Sequence, residues 1–183
     1  PVAHSFPTRR SSDLQTLLAQ AYVYTPTSRP ATEIEQDYPF DIDLKSADGT
    51  LVNSAETLVK SDKPTVLLFW LTTCRPCFME MAAIQKKYDA WQAETPFDLY
   101  AISTDFPRNF EAFVKRVEDS DWPFEAYNDV NREFKEVMPD GLNGLPQVFV
   151  FNAAGEIVYH KRRYRPGDED TLFAEIQRVA KVK

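Results

Sequence analysis

The chain has little of what several common classes of site require. Among its 183 residues only two are cysteines and two are histidines, so a zinc site built from thiolates and imidazoles lacks ligands. No stretch approaches the 18 consecutive apolar residues that mark a membrane-spanning helix. Lys and Arg number 21 against 28 Asp and Glu, a formal net charge of −7, and no basic surplus exists to neutralise nucleic-acid phosphates. Internal repeats and low-complexity tracts are missing as well. What is present is length for one domain plus extensions. A hydrophobic content of 43% with 13% aromatics is ample for a packed core.

Both cysteines fall in one box, Cys74-Arg75-Pro76-Cys77, directly after the apolar run Val66-Leu67-Leu68-Phe69-Trp70-Leu71 and a short polar turn. Beyond the box, Cys77, Met81, Ile84, Tyr88 and Trp91 recur at the spacing of one buried helix face. The pair therefore sits where a buried strand turns into a helix, with Pro76 suited to the first helical turn. A structural disulfide here would close a very small loop, where entropic stabilisation is weakest. Haem attachment needs His after the second cysteine, and Phe78 stands there. A peroxide-reducing cysteine is usually preceded at three residues by Thr or Ser, and Leu71 occupies that place. A redox-active dithiol is the reading that remains, with no metal or cofactor called for. Helix N-termini lower thiol pKa values through unpaired N–H groups and the dipole. That makes Cys74 the candidate nucleophile and Cys77, one turn inside, the candidate resolving thiol. Arg75 either adds a fixed positive charge beside Cys74 or is a solvated side chain of small effect. Glu80, three residues after Cys77, shares its helical side.

Residues outside the folded region divide into two stretches. His4 to Leu14 resembles the conceptual translation of a sequencing adapter, and residues 1–14 are set aside from fold reasoning on that ground. Leu17-Leu18-Ala19-Gln20-Ala21 reads as the end of a signal peptide with an Ala-x-Ala cleavage site, which places the mature protein outside the cytoplasm. Pro26, Pro30 and mixed polar residues then make a linker to about residue 37.

From Tyr38 the pattern is structural. Phe40, Ile42 and Leu44 alternate with polar residues, Ala47-Asp48-Gly49-Thr50 is a turn, and Leu51-Val52 starts the return strand of a hairpin. A short helix is predicted from Ser54 to Leu58, and Thr65 to Trp70 reads as a central strand. Phe97 to Ser103 is a second buried strand, followed by a helix with Phe110, Phe113, Val114 and Val117 on its core side. Trp122 to Tyr127 reads as a short extended segment. Val130, Phe134 and Val137 mark a short helix. Gln147 to Phe151 and Gly155 to His160 make a hairpin, and a last helix starts near Asp168 with Leu172, Phe173, Ile176 and Val179 inward. His160 reads as structural. The one basic cluster, Lys161-Arg162-Arg163-Tyr164-Arg165, reads as a solvated strand end, with docking of an acidic partner as the other reading.

This order, βαβα then ββα behind an extra N-terminal hairpin, matches an α/β thioredoxin fold, a central mixed sheet flanked by helices. Residues 38–183 resemble the TlpA/ResA-like thioredoxins, extracytoplasmic thiol–disulfide oxidoreductases of bacteria. Carrying the resemblance are Phe40-Asp41-Ile42-Asp43-Leu44 with Asp48-Gly49, Leu68-Phe69-Trp70, the Cys74–Cys77 box, Gly144-Leu145-Pro146, and Tyr164-Arg165-Pro166-Gly167-Asp168. The resemblance implies a cis Pro146 facing the dithiol, with the backbone of Leu145 free to pair with an extended substrate, and a tuning role for Glu80. It implies partners that are thiols or disulfides of exported proteins, apocytochrome c among the candidates, and an upstream electron donor. It favours a reductant in the periplasm or cell envelope. A disulfide-introducing oxidant or isomerase, or a redox-dependent binding module, is the alternative. Thr73 departs from the family, which usually places Trp directly before the first cysteine, so a change in the lid over the disulfide and in partner choice is expected. Leu68 stands where many thioredoxins carry a buried Asp.

Overall fold

The strand Thr65–Trp70, all six residues of it buried, lies in the interior of the sheet in a computed structural model that describes residues 38–58 and 60–181. The adapter-like stretch, the signal remnant and the linker lie outside the described residues. Among those, the elements in chain order are β1 (Asp43–Ser46), β2 (Leu51–Asn53), α1 (Ser54–Thr57), β3 (Thr65–Trp70), α2 (Arg75–Glu94), β4 (Asp98–Ser103), α3 (Phe110–Ser120), β5 (Glu125–Asp129), α4 (Phe134–Val137), β6 (Gln147–Phe151), β7 (Ile157–Arg162) and α5 (Asp168–Ala180). Their sheet runs β2-β1-β5-β4-β3-β6-β7. β3 is parallel to β4 and antiparallel to β6. A strand buried on both faces needs apolar side chains at consecutive positions, which is what Val66 to Trp70 supply.

Alternation along β3 divides the core in two. Val66, Leu68 and Trp70 face the layer of α2 and α5, packing with Cys77, Met81, Ile84, Trp91, Leu172 and Ile176. Leu67 and Phe69 face the other way, onto Tyr38, Phe40, Ile42, Leu44, Phe134 and Phe149. The predicted inner face of α2 holds, with Tyr88 only half-buried. On α3 Phe113 alone is fully buried, while Phe110, Val114 and Val117 pack at the edge of the core. α5 starts at Asp168 with three acidic residues in its first turn, complementing the helix dipole. Phe173 stacks on Trp91 with centroids 4.7 Å apart.

The structure corrects one part of the predicted topology. The segment after Trp122 is not a mere extended connection: Glu125–Asp129 is a full strand, parallel to β4, and β1 pairs antiparallel with its other edge. The N-terminal hairpin is thus continuous with the sheet through β5. Its sequence, Glu-Ala-Tyr-Asn-Asp, ends in polar residues that a hydrophobic pattern discounts. They are buried because they have partners. The Asp129 carboxylate accepts the amides of Glu133 and Phe134 at 2.9 and 3.0 Å, capping α4. Burial pushes its carboxyl up to about 6 despite those bonds.

Candidate active site

β3 ends at Trp70, and four residues later Cys74 is the N-cap of α2 with extended backbone (φ −90°, ψ 92°). Pro76, which has no amide hydrogen to lose, occupies the first turn of the helix. Cys74 and Cys77 are joined in a disulfide, S–S 2.03 Å, with Cα atoms 5.3 Å apart. The two sulfurs are not equivalent in setting. Cys77 is fully buried in the core and Cys74 only partly. The Sγ of Cys74 accepts the backbone N–H of Cys77 at 3.3 Å. A donor aimed at that sulfur favours its charged form when the bond is open. Arg75 is the first residue of the helix, exposed, and makes no ion pair among the described residues.

The turn before Cys74 is held by a residue the sequence reading passed over. Asp105, 2% exposed at the end of β4, accepts the Thr72 amide at 2.7 Å on one oxygen and the Thr72 hydroxyl at 2.8 Å on the other. The Ser103 hydroxyl donates to it at 2.8 Å. The parallel pairing of β3 and β4 brings these ends together, Trp70 opposite Ser103. Thr104-Asp105 was visible in the sequence only as the end of a buried strand; the signal that could have found it is a carboxylate where the chain leaves the sheet beside the cysteine turn. Asp105→Ala is expected to lower stability by about 2 kcal/mol, since the Thr72 and Ser103 donors lose a charged acceptor. Asp105→Asn, which keeps one acceptor oxygen, is expected to recover part of that loss, as read from urea midpoints.

Thr73 is exposed and, with Thr72, opens on a recess of about 260 Å³ whose other wall is Ala112, Lys115, Arg116 and Asp119 of α3. A Trp at that position would have been large enough to cover part of it. On the other side of β3, β6 runs antiparallel, with Gln147 opposite Phe69. Pro146, one residue earlier, therefore lies at the same sheet end as the cysteine turn. Gly144 at φ 82° makes the bend that precedes it, and the Leu145–Pro146 peptide is cis. Pro146 is buried, whereas Leu145 is half-buried at the boundary of both core clusters. The Pro146 carbonyl accepts the Arg163 amide at 2.7 Å.

Glu80 is 2% exposed, and its Oε2 has no hydrogen-bond partner among the described residues. Burial in the core pushes its carboxyl up to about 8, Asp168 adds to the rise, Lys161 opposes it, and Glu169 adds a little more. Glu80 is therefore largely neutral at pH 7. His160 is structural as read. Its Nε2 lies 2.8 Å from the Gln147 side-chain oxygen, its ring stacks on Phe149 at 4.1 Å, and burial pushes its pKa down to about 4. Among the described residues no group of three or more His, Cys, Asp or Glu side chains is placed to hold a metal ion.

Comparison with known proteins places this arrangement. The model of the AhpC/TSA family matches residues 34–160. A solved thioredoxin-like protein of unassigned role from Porphyromonas gingivalis is 32% identical, with 78% of this chain and 91% of that one covered and a TM-score of 0.66. StoA from Bacillus subtilis is 20% identical over 76% of this chain and 99% of its own, TM-score 0.57. The thioredoxin domain of a thiol-disulfide oxidoreductase from Bacteroides vulgatus is 22% identical over 79% and 96%, TM-score 0.59. At these identities the last two bear on the fold alone. No curated protein matches the chain. With the family model spanning most of its length and a Cys74–Cys77 disulfide capping the helix after the central strand of a thioredoxin-like fold, the chain belongs to the AhpC/TSA family.

Proposed function

We propose that the protein reduces disulfides in extracytoplasmic partner proteins, with Cys74 as attacking thiolate and Cys77 as resolving thiol. The observation that carries the exchange reading and its assignment of attacking and resolving cysteines is the asymmetry of the pair. The partly exposed Cys74 sulfur accepts an N–H at the helix N-terminus, and Cys77 is sealed in the core. In the reduced protein the Cys74 thiolate attacks one sulfur of a partner disulfide, and the partner's other sulfur leaves as a thiolate and takes up a proton. Cys77, losing its proton, attacks the Cys74 sulfur of the mixed disulfide and releases the second partner thiol. Two electrons pass to the partner, and the Cys74–Cys77 disulfide is left for an upstream dithiol donor to reduce.

The other site residues support these steps. Leu145, ahead of the buried Pro146, offers backbone for an extended partner segment to pair with, and Thr73 leaves the approach beside α3 open. Arg75 adds positive charge near Cys74. Glu80 tunes the dithiol: its negative charge would oppose thiolate formation, but burial keeps it neutral until about pH 8. The partners fit exported proteins that carry disulfides, apocytochrome c among them, in the periplasm or cell envelope of a bacterium. Among the described residues no helix is long and apolar enough to cross a membrane.

One observation favours the opposite direction of electron flow. Stabilising the Cys74 thiolate stabilises the reduced form and makes the pair more oxidising, by roughly 30 mV for each tenfold change in the equilibrium. One or two such factors leave the pair closer to thioredoxin, at about −270 mV, than to the strong periplasmic oxidants at about −120 mV. Equilibrating the protein in glutathione buffers and counting free thiols measures the potential. A value near that of the strong oxidants would replace the reductase reading with the disulfide-introducing one.

A further inference from the structure

The basic cluster at the end of β7 is not a strand end splayed into solvent. Lys161, Arg162, Arg163 and Arg165, with the single carboxylate of Asp168, line a recess of about 440 Å³. Two of the cations are neutralised in place: Lys161 pairs with Asp168 at 2.9 Å and Arg162 with Asp140 at 3.5 Å. Arg163 and Arg165 are exposed and make no ion pair among the described residues. The loop that carries them is ordered by its own hydrogen bonds. The Arg165 amide donates to Asp168 at 2.7 Å, the Gly167 amide to Glu169 at 2.9 Å, and the Tyr164 hydroxyl to Glu169 at 2.8 Å. Arg163, a non-glycine residue at φ 63°, is anchored through its amide to the Pro146 carbonyl. Arg162 stands opposite Gln147 in the sheet, and Gln147 stands opposite Phe69. The recess thus flanks the same sheet end as the cysteine turn, beside Pro146.

We propose that this recess docks an acidic segment of the disulfide-bearing partner protein, a stretch of Asp or Glu side chains near the cysteines that react with Cys74; this rests on the reductase reading. Guanidinium groups present paired donors that match a carboxylate, and two of them here, on Arg163 and Arg165, stand in a concave, pre-ordered loop with no ion pair among the described residues. The chain as a whole is acidic, with a net −7 even with this cluster counted, so an acidic partner is drawn to this patch and repelled elsewhere, which sets its register against Leu145 and Pro146. The same acidity disfavours an anionic membrane as the occupant, because a membrane meets a broad face and not one recess.

The test separates docking from chemistry. A fluorescent twelve-residue peptide rich in Asp and Glu, with Ser in place of Cys, is titrated with the full chain at low salt, followed by anisotropy. A Lys-rich peptide of the same length and phosphatidylserine vesicles are titrated in parallel. The acidic peptide is expected to bind, the Lys-rich one not. Arg163→Gln together with Arg165→Gln is expected to weaken the acidic peptide about tenfold, as two carboxylate pairs are lost, with an unchanged thermal midpoint. Raising the salt to 0.5 M is expected to weaken it as well. Equal binding by wild type and variant, equal binding of the two peptides, or binding to the vesicles in preference to the acidic peptide overturns the proposal. Reaction of the reduced wild type with hydroxyethyl disulfide reports separately on the reductase reading, since that small disulfide has no charge for the recess to hold.

Discussion

Cys74→Ser is expected to lower the rate of disulfide exchange by more than about a thousandfold, because a hydroxyl is not ionised at neutral pH and cannot form the mixed disulfide. Cys77→Ser is expected to behave differently. The buried Cys77 does not meet the partner, so the first attack proceeds through Cys74 and the product cannot be resolved. A covalent complex between Cys74 and the partner should accumulate, visible by mass spectrometry of the non-reduced digest. The reduced wild type offers an independent check. Limited alkylation with iodoacetamide is expected to label Cys74 well before Cys77, since thiolate character and access both favour it. Faster labelling of Cys77 would reverse the assignment of roles.

Much of this site was legible because its signals are local. An apolar strand, a two-cysteine box with Pro76 between, and a helix face starting at Cys77 all lie within about thirty residues. The ends of β6 and the start of α5 fall where pattern and turn chemistry place them, at Gln147, Phe151 and Asp168. The cis peptide before Pro146, which the family resemblance implied, is present. What escaped depends on contacts distant in sequence. β5 reads in the sequence only as a short extended segment ending at Tyr127, because the polar Asn128 and Asp129 are buried through bonds to Ser103 and the α4 amides that no local pattern shows. Asp105 escaped for the same reason, its partner Thr72 being 33 residues away. The basic cluster was plain in the sequence, but the recess it lines appears only when β7 and α5 are folded together.

Glu80 gives the stability of the protein a pH dependence whose sign is opposite to that of most acidic residues. In the unfolded chain its carboxyl titrates near 4.5, and in the core it titrates at about 8. The folded state therefore binds the proton more tightly, so stability falls as pH rises between those two values and is flat outside them. A displacement of that size corresponds to a loss on the order of 5 kcal/mol across the window. Asp129, raised to about 6, acts with the same sign over its lower part, and His160, held near 4, costs stability as pH falls below about 6.5. Comparing wild type with Glu80→Gln cancels those two contributions and leaves that of Glu80. The amide is uncharged at every pH and nearly the shape of the protonated acid. The two proteins should have similar urea midpoints at pH 5, and the variant should become the more stable by several kcal/mol at pH 8.5. Parallel pH profiles would mean that Glu80 is ionised and solvated like a surface carboxylate. The same comparison bears on exchange. At pH 6, where both side chains are neutral, Glu80→Gln should leave the first attack by Cys74 little changed, whereas above pH 8 only the wild type gains a negative charge beside the dithiol, and the two rates should part there.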